Sequence, residues 1–124
     1  MPYTLKVENH VLRLTLTGRV TGSDLMRAAA EARNYEENVP VVPHRITDLD
    51  GAELAIHYAD VSALAGKRRE LRFPNPFKSA IIARNPQQLG YARMFQTLND
   101  NPQITIRIFS DELSASQWIA GCSN

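Results

Sequence analysis

Hydrophobic and polar positions alternate at the start of the chain. Tyr3, Leu5 and Val7 are interleaved with Thr4, Lys6 and Glu8, and Leu12, Leu14 and Leu16 with Arg13, Thr15 and Thr17. A period of two sends successive side chains to opposite faces of an extended chain, so both runs predict half-buried strands. Asn9-His10 between them is too short for a parallel crossover and predicts an antiparallel hairpin. Residues 18–22, bounded by Gly18 and Gly22, interrupt the alternation, and the period then becomes helical. Leu25, Ala28, Ala29, Ala32 and Tyr35 or Glu36 share one face. Thr21 or Ser23 is the expected N-cap, with Asp24 placed as a capping box requires. Pro40 closes this helix, because proline disfavours helical geometry in the residue before it.

A strand is expected over residues 41–49, with Pro43 at its entrance because proline cannot donate to a central ladder. Asp48-Leu49-Asp50-Gly51 reads as a tight acidic turn at the end of that strand. Leu54, Tyr58, Val61, Leu64, Ala65 and Leu71 then form the stripe of a helix over residues 53–71. Phe73-Pro74-Asn75-Pro76 is a rigid connection, and residues 79–83 are a continuous apolar run, as in a strand covered on both faces. Asn85 and Pro86 open a helix carrying Leu89, Ala92, Phe95 and Leu98. Residues 104–109 form the last strand. Ser110 or Asp111 caps a final helix with Leu113, Ala115, Trp118 and Ile119, closed by Gly121. The order β-β-α-β-α-β-α-β-α predicts one α/β domain over residues 1–124. It is a mixed sheet with an N-terminal antiparallel hairpin and right-handed crossovers.

Composition narrows the function classes. Fourteen Lys and Arg against thirteen Asp and Glu give a net charge of +1, which argues against a nucleic-acid partner. No apolar run is long enough to span a membrane, and a cytoplasmic location is the expectation. Cys122, the single cysteine, cannot form an internal disulfide. It has neither a histidine nearby in sequence nor a helix N-terminus to activate it. No G-x-S-x-G turn, P-loop or dinucleotide fingerprint is present, so the chain reads as a non-enzyme without a cofactor.

The element order together with Asp48-Leu49-Asp50-Gly51-Ala52-Glu53-Leu54 resembles the STAS domains, the fold of anti-sigma-factor antagonists and of the cytoplasmic tails of sulfate transporters. The closing strand and the short helix bearing Trp118 are similar to bacterial STAS-like proteins of unassigned role. The resemblance implies a regulatory or protein-interaction module, with a homodimer or other complex formed through the hairpin edge or the second helix. In that family a phosphorylatable serine follows the glycine at the start of the next helix. Here Ile56, His57 and Tyr58 occupy that region, and Ser62 lies a turn deeper. The departure removes the expected phosphorylation switch while leaving the binding surface.

Two groups of residues are candidate sites. Asp48, Asp50, Gly51, His57, Tyr58, Arg84 and Asn85 gather where strands end and helices begin, the place where open α/β sheets bind ligands. Turn and cap chemistry also accounts for Asp50, Asn85 and Asp111. A small-ligand binder for lipid or an anionic metabolite, using that rim, is the competing expectation. It requires a pocket of roughly 300 Å³ or more. Lys67, Arg68, Arg69 and Arg72, with Phe73 beside them, form the second group, a basic patch at a helix C-terminus for a protein partner. His44, Asp48, Asp50 and His57 lack metal-site spacing, and no metal is expected.

Overall fold

The computed structural model describes residues 2–121, so Cys122 lies outside the described residues. β1 (Tyr3–Glu8) and β2 (Val11–Thr21) pair antiparallel across Asn9 and His10, whose φ angles are 51° and 62°. Positive φ at both central residues matches the twist of a two-residue hairpin. β2 is longer than its pattern suggests. Gly18 takes a φ of +67°, and the strand continues through it to Thr21. Only glycine enters that region without cost, so the expected break is a local irregularity.

The remaining elements are α1 (Gly22–Glu37), β3 (His44–Ala55), α2 (Tyr58–Arg69), β4 (Phe77–Ile82), α3 (Pro86–Leu98), β5 (Ile104–Phe109) and α4 (Glu112–Ile119). The sheet order is β1-β2-β3-β4-β5, with every pair after the hairpin parallel. α1, α2 and α3 each join neighbouring strands in the same direction, so right-handed crossovers stack all three on one face. There Ala28, Val61 and Ala92 meet Leu14, Leu16, Leu54 and Ile81 in the main core. α4 follows the last strand and folds back over the other face, where Ala115, Trp118 and Ile119 cover Ile46, Ala80 and Ile82. β4 is buried on both sides, as its continuous apolar run predicts. Leu113 is an exception to the expected α4 stripe: it is 66% exposed.

The caps follow the sequence. Thr21 and Asp24 form a capping box on α1, Asn85 accepts from Gln88 N at 2.8 Å on α3, and Asp111 accepts from Ser114 N at 2.7 Å on α4. Each satisfies a backbone donor that the first helical turn leaves unpaired.

The expected turn at Asp48-Leu49-Asp50-Gly51 is a bulge inside β3. Thr15 pairs with Asp48 and Thr17 with Gly51, so Leu49 and Asp50 together oppose Leu16. Asp48 Oδ1 accepts from Asp50 N at 3.0 Å and steadies the extra residue. A single inserted residue reverses the alternation of a strand. Arg45, Thr47 and Leu49 face the helical layer before the bulge, and Leu54 and Ile56 face it afterwards. Residues 53–55 therefore belong to the strand, and α2 starts at Tyr58 rather than Glu53. The Asp-x-Asp-Gly pattern suits a turn and a bulge equally. Pairing of the downstream segment with β2 decides between them.

Candidate functional site

Beyond Asp48, β3 has β2 on one side only, because β4 ends at Ile82 opposite Asp48. The unpaired carbonyls on its other side are taken by side chains of α3. Gln88 Nε2 donates to Leu49 O at 2.7 Å and to Ala52 O at 3.1 Å. Gln87 Nε2 donates to Leu54 O at 3.1 Å, and Tyr91 Oη to Ile56 O at 2.9 Å. Gln88 Oε1 accepts from Arg84 N at 2.9 Å, so one amide joins the end of β4, the start of α3 and the bulge of β3. Gln88 is only 1% exposed, and a buried amide without these partners would be costly. A row of helix side chains thus replaces the missing strand.

The rim above this row carries several of the sequence-predicted site residues. Arg84 Nε lies 3.2 Å from Asp50 Oδ1, and both side chains are half exposed. Hydrogen bonds from the Ser114 backbone and side chain hold the Asp111 carboxyl below its usual range, with a smaller contribution from Arg84. Asn85 is engaged as the cap of α3. Asp48 is tied to the bulge, and Gly51 is exposed within it. His57 is the N-cap of α2, and its backbone N–H donates to Asp60 Oδ2 at 2.9 Å. The strand order never reverses, so the crevice that forms in α/β sheets where the order switches does not arise here.

Tyr58 stands apart. It opens α2 and is 72% exposed, yet its ring packs on Tyr91 with centroids 5.5 Å apart. Ala59, Ser62 and Ala63 continue an exposed surface along the helix. Ser62 lies one turn into the helix, as expected, and is accessible. Lys67, Arg69 and Arg72 are exposed at its far end, with Glu70 3.6 Å from Arg69 Nε.

Arg68 and Phe73 do not belong to that basic patch. Phe73 is buried edge-to-face against Phe77, 5.0 Å between centroids, because the Pro-rich connection tucks onto the core. Arg68 turns inward to a carboxylate. Glu36, buried on α1, accepts from Arg68 Nη1 at 2.6 Å, from Arg68 Nη2 at 3.1 Å and from Arg45 Nη2 at 2.7 Å. Burial pushes the Glu36 carboxyl up, but the Arg68 hydrogen bond and the charges of Arg45, Arg68 and Arg33 outweigh it and leave it below the usual carboxylate range. Burial, and then the neighbouring Arg68 charge, draw Arg45 down to about 10. The sequence reading missed Gln88, Arg45 and the partners of Glu36. Glu36 carried a signal: with Ala28 and Ala32 it completes an i, i+4, i+8 stripe of buried positions, where a carboxylate needs a cation.

Arg45 and Arg68 border a cavity of about 100 Å³ between the sheet and α1, α2 and α3, below the roughly 300 Å³ of a drug-sized site. A larger cleft of about 370 Å³ opens on the opposite face of the sheet, between α4 and the Asn9-His10 turn. His44 stands on that cleft and its Nδ1 accepts from Lys78 N at 3.0 Å, so it serves the β3–β4 ladder. Among the described residues no group of three His, Cys, Asp or Glu side chains is arranged to hold a metal ion, and no helix is long and apolar enough to cross a membrane.

Comparison with known proteins bears on the fold. No protein-family model and no curated protein matches the chain. Among solved structures it is similar to an uncharacterized protein of the DUF3478 family with a SpoIIAA-like fold, from Shewanella loihica PV-4. The two share 15% identity at a TM-score of 0.61, covering 94% of this chain and 91% of the other. The fold is SpoIIAA-like. The STAS resemblance noted from the element order therefore holds for the architecture of nearly the whole chain.

Proposed function

We propose that this SpoIIAA-like domain is a non-catalytic regulatory module of the cytoplasm that docks a protein partner on the outer face of α2. The observation that carries this reading is Tyr58: a large aromatic ring, exposed at the start of the helix yet held by Tyr91. Pre-positioned tyrosines make strong interface anchors because little side-chain freedom is lost on binding. Tyr58, Ser62 and Arg69 stand at i, i+4 and i+11, which brings them to one face of the helix. The surface is aromatic at one end, small in the middle and basic at the other. It suits a partner with an apolar notch for the ring and an acidic group facing Arg69. No phosphorylated serine at the helix start is needed, since His57 and Tyr58 occupy that region.

A photo-crosslinking residue placed at Tyr58 or at Ser62, in cells that make the full chain, is expected to capture the same protein. Arg69→Glu should abolish both adducts. The same crosslinker at Thr105, exposed on β5, should not give that adduct. Indistinguishable adducts from Thr105, or none from α2, would overturn the proposal.

A further inference from the structure

The interior cavity of about 100 Å³ has one feature that packing alone does not require. Its walls are mainly apolar, with Leu16, Ile56 and Phe95 among them, but Arg45 and Asn99 also line it. Arg45 Nε and Asn99 Oδ1 are buried without a hydrogen-bond partner among the described residues. Asn99 is 4% exposed and the Arg45 side chain 11%. A buried polar atom left unpaired is costly, more so when the group is charged, and two such atoms on residues lining one cavity point to a common cause. The local charge is also unbalanced. Arg45 and Arg68 are two cations sharing one buried anion, Glu36, which leaves an excess positive charge beside the cavity.

We infer that this cavity is a binding site for a short-chain carboxylate, its head on Arg45 Nε and the Asn99 amide and its tail among the apolar walls. A carboxylate supplies the acceptor that Nε–H lacks and the negative charge that Arg45 and Arg68 leave uncompensated. The Asn99 amide can present either its oxygen or its NH₂ to the ligand, since the two are interchanged by a flip. Size limits the ligand. A cavity of about 150 Å³ holds the six carbons of benzene, so this one takes roughly four or five non-hydrogen atoms, a chain of acetate or propanoate length. The site lies beneath α1 and α2 and is independent of the docking face on the outside of α2.

The test is an NMR titration of the isotope-labelled full chain with sodium propanoate, at constant ionic strength. 1-Butanol serves as the size-matched uncharged arm. Propanoate is expected to give saturable shifts of the Arg45 Nε–H and Asn99 side-chain amide resonances, with 1-butanol at least tenfold weaker. Ala29→Leu, which fills the cavity from α1, should weaken propanoate binding at least tenfold. If that variant does not fold, Leu64→Phe blocks the cavity from α2. Three results would overturn the inference: unmoved Arg45 and Asn99 resonances, equal binding of 1-butanol, or undiminished binding in a folded cavity-filled variant. The first would assign the unpaired atoms to water and the second would mark an apolar hole.

Discussion

Gln88 shows how much one side chain does in this molecule. Its carboxamide accepts from the backbone at Arg84 and donates to the carbonyls of Leu49 and Ala52, in a place that water barely reaches. Gln88→Leu keeps the volume but leaves those carbonyls and an amide unpaired. It is expected to lower stability by about 3 kcal/mol, read as a reduced urea midpoint at unchanged slope. Arg84→Ala removes a contact to Asp50 made at the surface, where water screens the pair. Its midpoint should stay within about 0.5 kcal/mol of the wild type. The two residues stand close in sequence and face the same bulge, yet burial separates their effects. In sequence Gln88 is simply a polar residue in the first turn of a helix. Its weight comes from β3 outrunning β4, which no local pattern records.

At the scale of elements, Glu36 ties α1 to α2 through Arg68 and to β3 through Arg45. Removing one partner from a buried ion cluster exposes the others to the full desolvation penalty, so Glu36→Gln should cost about 3 kcal/mol or more at pH 7. The sign of its pH dependence follows from its depressed pKa in the folded state. The stabilisation is fully present above the unfolded value, near 4.3, and is lost as pH falls through the folded value. Wild-type stability should therefore decline below about pH 5, and Glu36→Gln should show a shallower decline. Some slope remains in the variant, because hydrogen bonds to Thr21, Ser114 and Arg13 also lower Asp24, Asp111 and Glu112. Acid titration followed by circular dichroism measures both curves. Element types and order were legible in the pattern of residues, and so were the caps at Thr21, Asn85 and Asp111. The boundary between β3 and α2 was not, because Asp-x-Asp-Gly is compatible with a turn and with a bulge. The alternation of Ala52, Leu54 and Ile56, all buried, favours the strand once the extra residue is counted.

At the scale of the whole molecule, one sheet separates two packed layers of unequal size. β3 and β4 send side chains into both, Thr47 and Ile81 toward the three helices and Ile46, Ala80 and Ile82 toward α4. Neither layer can loosen without disturbing strands the other depends on. Trp118, the single tryptophan, is buried on the α4 side beside Phe109. Its fluorescence should report the same urea midpoint as far-UV circular dichroism, which is dominated by the larger layer. An earlier fluorescence transition would show that α4 detaches as a separate unit. The two proposed sites, the outer face of α2 and the cavity beneath it, occupy separate places on the SpoIIAA-like architecture.

What the sequence determined by itself was whatever depends on near neighbours: the two strand runs and their turn, the helical stripes, the caps, and an order that admits few topologies. Those features follow from periodicity and from hydrogen bonds between residues a few positions apart. Tertiary structure alone decided that Arg68 and Phe73 leave the surface, that Glu36 becomes the anion of a buried cluster, and that Gln88 completes a strand. It also decided that Arg45 and Asn99 line one cavity. Each of these depends on groups brought together from distant parts of the chain, where burial sets the cost of an unpaired charge or amide. A linear pattern carries no measure of that burial.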